Sequence, residues 1–139
     1  MITYNIDGVR MPKLAKRDTS AWIRQVVAGY GKKVGEIAYI FCSDAKILEV
    51  NRVYLQHDYF TDIITFDYCE DDEVSGDIFI SLDTVAANAQ EYGVSFDNEL
   101  HRVIIHGILH LCGQDDHTDA DQAEMTRCEN AALARYFQK

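Results

Sequence analysis

Two histidines stand four residues apart in the run His106-Gly107-Ile108-Leu109-His110-Leu111-Cys112-Gly113-Gln114-Asp115-Asp116-His117. On a helix that spacing puts both imidazoles on one face, where they can share a divalent metal ion. Gly113 falls just past His110, where a left-handed residue ends a helix. The chain then turns back, and Asp116 or His117 supplies the third donor. Two helix nitrogens and one loop donor leave a position open, the layout of a catalytic zinc site rather than a closed structural one. Zinc suits imidazole ligation and low coordination, and nickel or another imidazole-binding ion has the same donors open to it. A lone histidine on an apolar helix is usually a core or rim residue with its nitrogens satisfied. Two on one face, followed by an acid/His cluster, are harder to satisfy without metal.

The neighbouring position narrows the chemistry. Metalloproteases carry His-Glu-x-x-His, in which the glutamate is the general base. Gly107 occupies that place here, so a protease-like hydrolase is the weaker alternative. Cys112 lies inside the motif, but the four cysteines, Cys42, Cys69, Cys112 and Cys128, have irregular spacing and form no Cys-x-x-Cys pair. They read as reduced, semi-buried small residues.

The elements that must hold this helix follow from periodicity. Thr3 to Ile6 reads as a short strand. A helix follows, beginning at Pro12 or Thr19 and ending near Ala28, with Trp22, Ile23, Val26 and Val27 as its apolar stripe. Glu36 to Cys42 is a buried strand, and Ser43-Asp44 caps a helix through Ile47, Leu48, Val50 and Tyr54. Asp62 to Tyr68 and Asp77 to Leu82 read as two further strands around the acidic loop Glu70-Asp71-Asp72-Glu73, whose charges keep a turn solvated. Asp83 to Tyr92 is helical and stops at Gly93. Ser95 or Asp97 caps the helix to Leu111, and a last amphipathic helix runs from about Asp121 to Phe137. The Leu100–Leu111 segment is apolar nearly all round and therefore buried on most sides. His101 on it reads as a partly exposed helix residue. Strands alternating with helices, two of them adjacent, give an α/β (α+β) fold. A small mixed sheet is packed with helices, and the metal sits at the end of a buried central helix.

A chain of 139 residues with 47% hydrophobic and 26% charged residues fits one globular domain, residues 1–139. No stretch approaches the roughly 18 apolar residues of a spanning helix, and the first residues lack a basic and then apolar leader pattern. A cytoplasmic protein with no membrane partner is the expectation. The net charge of −10 opposes generic nucleic-acid binding, since 13 Lys and Arg face 23 acids. Any RNA-facing surface must be a local basic patch. Arg10, Lys13, Lys16, Arg17, Arg24, Lys32 and Lys33 form one candidate, or the solvated side of a helix.

Three ordered motifs carry a family resemblance. The run His106 to His117 resembles the His-Gly-x-Leu-His-Leu-x-Gly-x-Asp-His signature of the YbeY family of bacterial rRNA maturation factors. Asn51-Arg52-Val53-Tyr54-Leu55-Gln56-His57-Asp58-Tyr59-Phe60-Thr61-Asp62-Ile63-Ile64-Thr65-Phe66 resembles its Asn-x-x-Tyr-Arg-x-Lys-Asp-x-x-Thr-Asp-Val-Leu-Ser-Phe segment, and Gly76-Asp77-Ile78 its Gly-Asp-Ile strand. Length, order and the Met125…Glu129 helix agree, so the resemblance spans essentially the whole chain. It implies a zinc-dependent, single-strand-specific endoribonuclease that matures the 3′ end of small-subunit rRNA and serves ribosome quality control. The implied partners are rRNA and the small ribosomal subunit or its assembly factors, with no DNA. Two departures stand out. Ungapped register puts Asp116 at the family's third histidine, with His117 one residue later competing for the place. The family's arginine after tyrosine is Leu55 here, and Arg52, one turn earlier, is the substitute cation for substrate. Asp62 and Asp77 are candidates to orient a ligand histidine, or else to cap strand ends, and His57 and Asp58 to lie near the cleft. No residue is marked as general base. A non-catalytic assembly factor, with the metal pinning the helix to its following loop, is the alternative function.

Overall fold

The computed structural model describes residues 1–55 and 61–138 of the chain. The elements run β1 (Ile2–Ile6), α1 (Lys16–Gly29), β2 (Lys33–Cys42), α2 (Asp44–Leu55), β3 (Ile63–Asp67), β4 (Glu73–Ser81), α3 (Leu82–Tyr92), α4 (Phe96–Leu111) and α5 (Asp119–Phe137). Among the described residues the strands form one sheet in the order β1-β2-β4-β3. The β1/β2 and β2/β4 pairs are parallel and the β3/β4 pair antiparallel. This is the expected mixed sheet.

Strand β4 starts at Glu73, earlier than its apolar run suggests, because polar residues alternate there with buried ones. Val74 and Gly76 are buried while Ser75 and Asp77 are only partly so. The acidic loop is therefore the hairpin turn itself, with Asp71 in the left-handed region at φ 52°. Gly76 is fixed by close approach: a Cβ there would stand 2.4 Å from the Phe66 carbonyl oxygen on β3. Any side chain would push the two strands apart.

Both sheet faces are covered, which is why β2 and β4 are so apolar. On one face Ile37, Tyr39, Phe41, Ile78 and Ile80 join the main core with α1 and α4. On the other, Ile47 and Val50 of α2 cover Cys42 and Ile64, with Phe66 and Phe79 packed against them. Helix α4 lies at the centre of the larger core. Ser95 caps it by accepting the Asn98 N–H, and the buried Tyr39 hydroxyl donates to the Ile104 carbonyl at 2.9 Å. Trp22 on α1 donates to the Ala132 carbonyl on α5 at 2.9 Å. Helix α5 starts at Asp119, behind a capping box of Thr118 and Asp121.

His101 departs from expectation. It is 1% exposed and enclosed by Trp22, Tyr136 and Phe137, its ring stacked 4.4 Å from Tyr136. Its Nδ1 donates to the Asp97 carbonyl at 2.7 Å, while Nε2 is buried without a hydrogen-bond partner. The sequence pattern could not show that the end of α5 folds back over this side of α4. Among the described residues no helix is long and apolar enough to cross a membrane.

Candidate metal centre

The end of α4 explains how the loop donors reach the helix donors. The Gly113 N–H bonds the His110 carbonyl, the Gln114 N–H bonds the Leu109 carbonyl, both at 3.0 Å, and Gly113 has φ +105°. This is the 5→2 and 6→1 pairing of a Schellman motif, which a residue with a Cβ rarely completes. It reverses the chain so that Asp116 returns towards α4. The Gln122 side chain donates to the Asp116 carbonyl at 3.1 Å and ties the loop to α5.

His106 is held through one ring nitrogen and faces a second carboxylate with the other. Glu129 Oε2, from α5, lies 2.6 Å from Nδ1, and Asp116 Oδ2 lies 3.5 Å from Nε2. An ionised carboxylate only accepts, so Nδ1 carries the hydrogen, and the neutral ring keeps its Nε2 lone pair on the Asp116 side. Burial lowers the proton affinity of His106. The hydrogen bond to Glu129 and the charges of Glu129, Asp62 and Asp116 more than offset this and raise its pKa. Glu129 is itself 7% exposed, and its Oε1 receives the Arg102 guanidinium at 2.9 Å.

These residues line a cavity of about 600 Å³ between α4, α3 and β3. It brings together His106, His110, Asp116 and His117, as the motif requires, together with Asp62, Glu99, Arg102 and Glu129. Burial raises the pKa of both Asp62 and Glu99. Arg52 is exposed on α2 and is not among the described residues lining the cavity, whereas its neighbour Asn51 is. Arg102 is the one lysine or arginine among the described lining residues. Asp77 is also off the lining and meets the Tyr68 hydroxyl at 3.4 Å. The side chain of Leu55, and all of His57 and Asp58, lie outside the described residues. Burial pushes the Cys112 thiol up to about 11, so it stands as a neutral core group.

The orienting carboxylate is therefore Glu129, which sequence reasoning noted only as part of a matching helix. Its signal was position: it shares the buried face of α5 with Met125, Ala132 and Leu133. A carboxylate on an apolar face requires a partner.

Whether the residues fit a metal can be judged from the donors present. Among the described residues no group of three or more His, Cys, Asp or Glu is gathered closely enough to hold an ion as it stands. What is assembled is a pair. The 3.5 Å between His106 Nε2 and Asp116 Oδ2 is close to the roughly 3.4 Å between donors sharing a tetrahedral zinc with bonds of about 2.1 Å. His110 and His117 stand on the wall of the same cavity. Imidazole nitrogen and carboxylate oxygen are the donors zinc takes, and the ring tautomer is the one ligation needs, so the donor types and the His106–Asp116 pair fit the ion.

Comparison with known proteins identifies the family over nearly the whole chain. The model of the family described as endoribonuclease YbeY matches residues 6–137. The chain is 63% identical to the endoribonuclease YbeY of Bacteroides thetaiotaomicron, covering 96% of this chain and 97% of that protein. It is 64% identical to that of Phocaeicola vulgatus, with the same coverage. The solution structure of a Thermotoga maritima protein superposes with a TM-score of 0.71 at 30% identity, covering 99% of this chain and 90% of the other.

Proposed function

Because the chain belongs to the endoribonuclease YbeY family, we propose that it is a zinc-dependent endoribonuclease. Its substrate is single-stranded RNA, and its task is maturing the 3′ end of small-subunit rRNA in the cytoplasm, with the small ribosomal subunit or its assembly factors as partners. The observation that carries this reading is His106, held through Nδ1 by Glu129 with Nε2 beside Asp116 in an open cavity.

His106, His110 and Asp116 would hold the ion, with His117 competing for the third place. Zinc supplies Lewis-acid stabilisation of charge developing on a phosphoryl oxygen. The chain's own residues do the rest. Glu129 fixes the His106 ring. Arg102 is the fixed cation of the cavity, and Arg52 stands outside its lining to meet a flanking phosphate. Asp62 is the lining carboxylate whose proton affinity burial raises while its charge acts on His106, the direction a proton-transfer group needs at neutral pH.

The test is incubation of zinc-loaded protein with single-stranded rRNA, beside His110→Ala and a chelator control. Cleavage lost in both controls is expected. RNA or ribosome binding without cleavage by the wild type would overturn the nuclease reading in favour of an assembly factor.

A further inference from the structure

A buried carboxylate is costly unless its oxygens are paired. Both oxygens of Glu129 are used, and on different partners: Oε1 receives Arg102 at 2.9 Å and Oε2 meets His106 Nδ1 at 2.6 Å. Arg102 is itself tied, since its other terminal nitrogen donates to Asn130 Oδ1 at 2.7 Å. Arg102 and His106 lie one turn apart on α4, while Glu129 and Asn130 are adjacent on α5. The result is a two-helix clamp in which the guanidinium fixes the carboxylate and the carboxylate fixes the imidazole.

A clamp serving only to join α4 to α5 would be complete with Arg102 on Glu129 and Asn130. The extra bond to His106 acts on a residue whose free nitrogen looks onto Asp116 and the cavity. We infer that Glu129 is a positioning residue for the metal, anchored by Arg102, which selects the His106 tautomer with Nε2 bare and holds that ring towards the ion. Carboxylate partners of this kind set ring orientation and raise ligand basicity. Arg102 thus has two tasks, as cavity cation and as the anchor that keeps Glu129 aimed at His106. The inference rests on the metal reading above.

The experiment needs no RNA. Zinc affinity is measured by competition with a chromophoric chelator for the wild type, Glu129→Gln and Arg102→Gln. The His106 tautomer is read in the metal-free wild type by long-range nitrogen–proton NMR at mildly alkaline pH. Glu129→Gln should weaken zinc binding by about 10- to 100-fold. Arg102→Gln should weaken it less, and wild-type His106 should carry its hydrogen on Nδ1. Zinc binding by Glu129→Gln within about threefold of wild type, well under the loss typical of such a partner, would overturn the inference. The clamp would then be structural, and zinc binding by the wild type would leave the metal reading standing. A hydrogen on Nε2 in the wild type overturns it without any variant, so a misfolded Glu129→Gln does not shield it. A wild type that takes up no zinc removes the metal reading and the inference together.

Discussion

Gly107 lies directly over Ile78: a Cβ at position 107 would stand 3.2 Å from both Cγ2 and Cδ1 of that isoleucine, and 3.1 Å from Ile63 Cδ1. The position that bears the base in a His-Glu-x-x-His protease is here the contact between α4 and the sheet. Alanine at 107 gains about 1 kcal/mol of helix propensity and meets an overpacking cost of about 1–3 kcal/mol, so a modest net loss of stability is expected in urea melts. Gly107→Glu should fail to fold or lose more, and no casein-cleaving activity should appear. Metal-dependent proteolysis that disappears in His106→Ala would reverse this view.

The third donor can be settled by metal content. Asp116 stands 3.5 Å from His106 Nε2, while His117 is exposed on the cavity wall. Asp116→Ala should lower zinc affinity by at least the 10- to 100-fold or so typical of losing a supporting residue, and His117→Ala by less. Zinc analysis after dialysis against a weak chelator gives the order, and a larger loss in His117→Ala would transfer the role.

Much of this was legible in the chain. The i, i+4 histidines and the glycine stop placed the donors on one helix end, and the alternating strands gave the mixed sheet. What escaped were facts of tertiary approach. Period-2 and period-3.6 patterns say which face of an element is buried, not what buries it. Glu129 belongs to a different helix from His106, and His101 is enclosed by the far end of α5. Arg52 seemed close to the site because it sits one turn from Leu55, yet the buried face of that turn of α2 belongs to Asn51.

Asp62 gives a pH signature in the metal-free protein. Burial raises its folded-state pKa above the unfolded value, so the native state binds the proton more tightly. Its ionised form therefore costs stability above the folded pKa, and the cost fades as pH falls through that value towards about 4. Asp62→Asn should accordingly stabilise the chelator-treated protein relative to wild type at neutral pH, with the advantage shrinking as pH falls. Urea denaturation of both proteins across that range checks it. A difference that grows towards acid pH would contradict the stated sign.

The cavity holds Asp62, Glu99, Asp116 and Glu129 against Arg102 as its one lysine or arginine among the described lining residues. A phosphate entering it meets net negative charge until a divalent ion is present. Removing metal should thus weaken the binding of uncleavable 2′-O-methyl RNA by on the order of tenfold, read by fluorescence anisotropy at fixed low salt. Equal affinity with and without chelator would mean that the strand binds elsewhere on the protein.

Tyr92 lines the same cavity from the end of α3 and is 62% exposed, with Asn88 one turn before it on the lining. An exposed ring at the edge of such a cavity is a platform for an unstacked base. Tyr92→Ala should weaken single-stranded RNA binding by about 1–3 kcal/mol, the range for one stacked base. Its melting temperature should be little changed, because the ring is exposed. Unaltered RNA affinity would remove Tyr92 from the binding surface.

The proposed metal donors and their clamp, His106, His110, Asp116, His117, Arg102 and Glu129, all fall on α4, α5 and the tight loop between them. The sheet, by contrast, depends on parallel pairing of β1 with β2 and of β2 with β4, contacts that close long stretches of chain. Long-range parallel pairing is slow, while a helical hairpin needs only local closure. An ion captured by the hairpin would link consecutive segments. It would slow the opening of that one cooperative unit, so added zinc should delay amide hydrogen exchange first in α4 and α5 and only later, if at all, in β1.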